Sequence, residues 1–235
     1  MKLGIIGAMD VEVQTLKEKL QDLQVTKKAG MVFYQGKLED MPVVVVQCGV
    51  GKVNAALCVQ ILCDWFDVTH LVNTGVAGSL CNDLDIGDFV ISRDAMYHDF
   101  TCHMLNPAYC VGQVPGMDVL AFPADKTLTD YALEAAWKVY PGHAHMGRVA
   151  SGDQFVADKD HKEKIIADTQ AICTEMEGCA IAHSAWRNQI PFVIIRAISD
   201  KADGTAHIDY PTFEAAAAER CAQVTQELAK RLSRA

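Results

Sequence analysis

Two patterns of apolar and polar positions alternate along this chain. Runs apolar at consecutive positions, over Lys2–Ala8, Thr69–Asn73, Phe89–Ser92, Met146–Ser151, Ile172–Glu175 and Phe192–Ile198, predict short strands buried on both faces. Segments with a helical period separate them. Asp10–Leu23 places Val13, Leu16, Leu20 and Leu23 at such spacing, and Val53–Phe66, Leu128–Val139, His161–Ala167 and Gly178–Asn188 read the same way. A closing helix is predicted over Tyr210–Leu232, with Pro211 in its first turn. Met31–Lys37 and Pro42–Gln47 predict a hairpin with Glu39-Asp40 near its turn. Residues 98–120, with Asn106-Pro107 and Pro115-Gly116 and no clean period, predict a long loop.

Strands alternating with helices imply the α/β class. We expect a single domain over residues 1–235, with a mixed, mostly parallel central sheet flanked by helices. Ligands of such sheets sit at the carboxyl ends of the strands. That rule selects five places: Ala8-Met9 with Glu12, Asn73–Gly78, Ser151–Phe155, Glu175-Met176-Glu177 and Ser199-Asp200. No internal repeat, low-complexity segment or linker interrupts the pattern.

Composition narrows the partners. Half of the 235 residues are hydrophobic, enough for a sizeable core. The net charge of -9 and the lack of a Lys/Arg cluster argue against a nucleic-acid or acidic-membrane partner. No run of 18 apolar residues exists and the apolar start is too short for a signal peptide, so a cytoplasmic location is expected. The nine cysteines, with no C-x-x-C pair, read as reduced core thiols. Cys102-His103 and His143-Ala144-His145 are the only metal candidates and neither has an evident second half, so no metal is expected.

Gly49-Val50-Gly51-Lys52-Val53 resembles part of a phosphate-binding loop but fails it. Val46 stands where the first glycine belongs, and Val53 where Ser or Thr would follow the lysine. A helix-start turn is the better reading. Asn73-Thr74-Gly75-Val76-Ala77-Gly78 is of more interest, because glycines at a strand end let a ligand approach the backbone.

The acids carry the chemistry. Glu177 reads either as a helix N-terminal acid stabilised by the dipole or as a carboxylate accepting both hydroxyls of a vicinal diol. Asp200 ends an apolar run, so partial desolvation would raise its pKa and suit it to donate a proton. Pairing with Arg196, or capping of the next turn, are its alternatives. Glu12 is either a solvated helix acid or a strand-end functional group. Phe155 is either core or a stacking surface for a flat heterocycle.

Taken together, these residues resemble the 5′-methylthioadenosine/S-adenosylhomocysteine nucleosidases of the nucleoside phosphorylase superfamily. Seven motifs occur in family order, nearly end to end: Gly4-Ile5-Ile6-Gly7-Ala8-Met9 with Glu12, Gly49-Val50-Gly51-Lys52-Val53, Asn73-Thr74-Gly75, Tyr97-His98-Asp99, Ser151-Gly152-Asp153, Glu175-Met176-Glu177 and Arg196-Ala197-Ile198-Ser199-Asp200. The resemblance implies a nucleoside phosphorylase-like fold and hydrolysis of an adenine nucleoside's N-glycosidic bond, without cofactor. By that analogy Asp200 protonates N7 of adenine and Glu12 is base to the attacking water, which Arg196 and Glu175 help to place. Glu177 holds the ribose diol and Met176 packs beside the sugar. Phe155 stacks on the base, and the Val156 backbone and Ser199 read its edge. Val76, Ala77 and Gly78 border the ligand, and Met9 lies near the 5′ substituent. The family also implies a homodimer in which the loop after Tyr97-His98-Asp99 reaches the partner's site.

The chain departs from the family in three places. Val76 stands where many relatives carry serine, Asp10-Val11 replaces a more acidic pair, and Phe100–Gly112 runs longer than usual. Because that loop shapes the 5′ pocket, 6-amino-6-deoxyfutalosine stays open as a substrate. Two other rivals are a purine nucleoside phosphorylase and a non-catalytic nucleoside-binding protein. A phosphate dianion beside Glu12 and Glu175 would be repelled by about 4 kcal/mol per close charge pair. Retention of both Glu12 and Asp200 speaks against a protein that only binds.

Overall fold

A computed structural model describes residues 1–234. Ten strands and six helices follow in the order β1 (Leu3–Gly7), α1 (Asp10–Glu18), β2 (Gln21–Lys28), β3 (Met31–Leu38), β4 (Met41–Gln47), α2 (Lys52–Phe66), β5 (His70–Ser79), β6 (Phe89–Tyr97), β7 (Phe122–Pro123), α3 (Lys126–Val139), β8 (Ala144–Ser151), α4 (Lys159–Thr169), β9 (Cys173–Glu175), α5 (Gly178–Asn188), β10 (Phe192–Asp200) and α6 (Ala206–Leu232).

All ten strands join one mixed sheet. Its centre is parallel: β4, β1, β5 and β10 run side by side, as do β6, β8 and β9. Antiparallel pairing occurs in the β2-β3-β4 edge and where β10 meets β6 and β5 meets β9. Those last two pairings close β5, β10, β6, β8 and β9 into a ring. The site is built at one end of that ring.

Consecutive apolar residues are needed because both faces of the sheet are covered. Val43 and Val45 of β4 face α1 and α6, in the core that also holds Leu16 and Leu228. Val44 and Val46 of the same strand face Val59, Leu62 and Phe66 of α2 instead. The period of two thus sends alternate valines into opposite cores.

Two boundaries differ from the sequence reading in ways that matter. The first helix stops at Glu18, and Gln21–Lys28 forms an edge strand against β3. Leu23 and Val25 are half exposed there, so the helical spacing of Leu23 was coincidental. An edge strand solvated on both sides has no apolar alternation to reveal it. The last helix begins at Ala206, a turn earlier than expected, so Pro211 lies inside it rather than in its first turn. The Glu39-Asp40 turn is as expected, with both residues in the left-handed region that tight hairpins require. Gly51, also left-handed at φ +97°, precedes α2, in keeping with a helix-start turn.

β5 and β6 are also longer than expected. Val76, Ala77 and Gly78 are not a loop after a strand: they pair with Ala197, Ile198 and Asp200 of β10. Residues 98–121 form turns without a regular element. Among the described residues no helix is long and apolar enough to cross a membrane.

Candidate active site

The carboxyl ends of β1, β5, β8, β9 and β10 surround a cleft whose empty space, its part open to solvent included, is about 580 Å³. Its walls contain Met9, Glu12, Val76, Ala77, Gly78, Phe155, Val156, Glu175, Met176, Glu177, Arg196, Ser199 and Asp200. The structure therefore brings every site residue expected from the sequence to one place. It adds Ala8, Val50, Gln154, Thr174 and Tyr210.

Arg196 organises one wall. It projects from β10 and is 1% exposed. Its Nη2 donates to Glu175 Oε2 and, at 2.6 Å, to Asn73 Oδ1, and lies 3.7 Å from Glu177 Oε2. Its Nη1 donates to the Val76 carbonyl at 3.3 Å and lies 3.9 Å from Glu12 Oε1. Burial disfavours the cation, but Glu175, Glu177 and Glu12 together hold the guanidinium above its ordinary pKa.

Glu12 sits one turn into α1 and is 1% exposed, which excludes the solvated-acid reading. Its Oε2 accepts the Ala8 and Met9 amides at 2.7 and 3.0 Å, and its Oε1 the Val76 amide at 3.0 Å. Burial raises its pKa, and Arg196 and these three amides only partly offset that. A buried carboxyl of raised pKa is a better proton acceptor than a solvated one.

Glu175 and Glu177 divide the work at the start of α5. Glu175 Oε2 accepts the Glu177 and Gly178 amides at 3.1 and 2.7 Å, and its Oε1 accepts the Ser151 hydroxyl. Glu175 and the Ser151 hydroxyl, which accepts the Cys179 amide at 2.7 Å, therefore satisfy the first amides of the helix. Glu177 turns away and accepts the Gly51 amide through Oε1 at 2.8 Å. Burial, with Glu175 adding, pushes the Glu177 pKa up to about 8.

Asp200 is not paired with Arg196. Its Oδ1 accepts the Ala202 amide at 2.8 Å and its Oδ2 the Ser199 hydroxyl at 2.9 Å. Burial raises its pKa, these two bonds offset part of the shift, and Asp209 and Asp203 add to it. The turn-capping alternative is thus realised along with the raised pKa.

Phe155 stands 52% exposed at the mouth, not in the core. Its ring meets Tyr210 edge to face, with centroids 5.6 Å apart. The Tyr210 hydroxyl donates to Met9 Sδ at 3.2 Å or to Glu214 Oε1 at 3.0 Å. Tyr210 was missed because it lies in the second turn of the last helix, far from Phe155 in sequence. Thr174 was missed because a threonine inside an apolar strand reads as filler. Its Oγ1 is buried and has no hydrogen-bond partner among the described residues.

Other polar groups are accounted for elsewhere. His143 and His145 face Asp88 at 2.8 and 3.6 Å, away from the cavity. Among the described residues no group of three or more His, Cys, Asp or Glu is arranged to hold a metal ion. All nine cysteines are free, and burial raises the thiol of Cys48, close to Glu177 and Glu12, to about 12.

The chain matches the model of the phosphorylase superfamily over residues 2–230. It is 37% identical over 229 residues to the 5′-methylthioadenosine/S-adenosylhomocysteine nucleosidase of Staphylococcus haemolyticus, spanning 97% of this chain and 99% of that one. The nucleosidase of that name from Colwellia psychrerythraea, solved in complex with adenine, superposes with a TM-score of 0.94 at 37% identity, covering 99% of this chain and 96% of that one. A futalosine hydrolase from Helicobacter pylori superposes with a TM-score of 0.92 at 28% identity and 98% coverage of each.

Proposed function

The chain belongs to the phosphorylase superfamily and, within it, to the 5′-methylthioadenosine/S-adenosylhomocysteine nucleosidases, and from that premise we propose that it hydrolyses the N-glycosidic bond of both nucleosides to release adenine. The observation that carries this reading is one cavity lined both by a buried acid of raised pKa, Asp200, and by three glutamates gathered around Arg196.

The division of labour follows from that arrangement. Asp200 gives its proton to N7 of adenine, so the base leaves neutral. As the C1′–N9 bond breaks, positive charge grows on the ribosyl ring, and the nearby carboxylates favour it. Water oxygen bonds to C1′, and Glu12 takes a water proton while Arg196 and Glu175 place the water. Glu177 holds the 2′- and 3′-hydroxyls, and Met176 packs beside the sugar. Phe155 stacks on the base, whose edge meets the Val156 backbone and Ser199, and Gly78 borders the ligand. Met9, held by Tyr210, faces the 5′ substituent. The reaction needs no metal or redox cofactor.

Charge favours water over phosphate. Among the described residues that line the cavity, Arg196 is the one lysine or arginine, and it is already engaged by Glu175. Nothing there would offset the repulsion between a phosphate dianion and Glu12, about 4 kcal/mol for a close pair. A second substrate, 6-amino-6-deoxyfutalosine, is supported by the likeness to the futalosine hydrolase. We place the enzyme in the cytoplasm, in methionine salvage, and as a homodimer. Val53, Leu57, Met104 and Leu105 form exposed apolar surface that such a partner would cover.

Adenine release from the three nucleosides in phosphate-free buffer tests the reading. Release without phosphate is expected, and strict phosphate dependence overturns hydrolysis.

A further inference from the structure

Lys162 on α4 lies outside the cavity, yet it is only 9% exposed. A buried ammonium requires a partner, and this one donates from Nζ to the main-chain carbonyl of Lys201 at 2.6 Å. Lys201 is the residue between Asp200 and Ala202.

The turn at Lys201 sets the direction of the Asp200 carboxyl. Asp200 Oδ1 accepts the Ala202 amide at 2.8 Å, an Asx turn in which the side chain closes on its own backbone. Ala202 is fully buried at φ +49°, a left-handed conformation that a residue with a Cβ resists. Gly78 lies directly beneath: a Cβ built there would stand 2.9 Å from both Asp200 Oδ1 and the Ala202 Cβ. The turn is gripped from two sides, since the Lys201 ammonium reaches the Leu84 carbonyl and, at 3.1 Å, Asp85 Oδ1. Lys162 is the grip that comes from the helix layer.

We propose that Lys162 is a positioning residue for Asp200: by holding the Lys201 carbonyl, it fixes the turn that directs the Asp200 carboxyl at the leaving base. This rests on the hydrolytic reading above. Lys162 is faced by Asp203, Lys201, Asp200 and Cys81, and burial holds its pKa below the ordinary lysine value. Asp200 is faced by Asp209 and Asp203 as well. Loss of the Lys162 cation therefore removes positive charge from surroundings that are otherwise mainly acidic, and this raises the Asp200 pKa further.

The test is Lys162→Met, which keeps the buried stem and deletes the ammonium, assayed by adenine release between about pH 6 and 9. The expected result is a fall in kcat of about tenfold with KM within about twofold, and an alkaline limb of kcat moved to higher pH. Lys162→Arg keeps donor and charge, and is expected to restore kcat to within about threefold with the limb unmoved. An unchanged kcat and limb in Lys162→Met overturns the inference, as does an equal loss in the Arg variant, which marks plain packing. If the Met variant is not recovered folded, Lys162→Gln is judged by the same two readouts. Release by the unmodified enzyme shows that the parent reading stands while this one is judged. No release from any of the three nucleosides overturns both.

Discussion

Glu12 Oε1 and Arg196 Nη1 lie 3.9 Å apart over the backbone of Gly75. A Cβ built on Gly75 would collide with both atoms. The glycine is therefore required by close approach and not by an unusual φ. Its absent side chain is what lets an acid from α1 and a cation from β10 share one pocket wall.

Gly75→Ala should consequently disable the site before it unfolds the protein. The added methyl must displace either Glu12 or Arg196, and misplacing a reacting group costs about 10²-fold. We expect kcat/KM to fall by about that factor. Wild-type turnover in a folded Ala variant would show that the Glu12–Arg196 contact is dispensable.

Asp200→Asn removes the proton donor but keeps the shape. Turnover should drop at least ~10²-fold, while equilibrium titration still detects adenine binding. Turnover within a few-fold of wild type would take Asp200 out of the mechanism.

Glu177 makes stability depend on pH in a calculable direction. Its folded pKa is about 8, against an ordinary glutamate value of 4.5. Between those values the folded state holds a proton that the unfolded state has released, so stability falls as pH rises through the window. Below about 4.5 the Glu177 contribution is complete, and above about 8 it is lost. Glu177→Gln mimics the protonated form and should lack that component. Thermal melts of both proteins between pH 4.5 and 8 should show the Gln variant gaining on wild type as pH rises. Parallel curves would mean that Glu177 stays ionised throughout.

Phe155→Ala tests the stacking role at the cavity mouth. Aromatic stacking contributes about 1 kcal/mol beyond the area it covers, so KM should rise by at least about fivefold with kcat changed little. Because Phe155 is half exposed, folding stability should hardly move. A large drop in melting temperature with KM unchanged would make it a packing residue.

Most of the fold could be read from the chain because its strands are buried on both faces. Val43 to Val46, or Val193 to Ile195, leave no other economical placement. Reading failed where the tertiary setting overrode or removed the pattern. β2 is a polar edge strand, and Leu23 imitated a helical period that nothing enforced. The segment at 73–78 read as the end of a strand that stops at Asn73, yet pairing with β10 carries the strand on through it.

Residue types at strand ends were enough to nominate the acids and to suggest the chemistry. Their partners were not legible. Arg196 could equally have paired with Asp200, four positions along the same strand, and the structure instead gives it to Glu12, Glu175 and Glu177. Likewise Tyr210 meets Phe155, and Lys162 meets Lys201, across loops that no local pattern relates. Local sequence sets backbone preference and burial through short-range sterics and apolar periodicity. Charge state and aim are set by what packs alongside, because desolvation and Coulomb energy depend on distances that exist only once the sheet has closed.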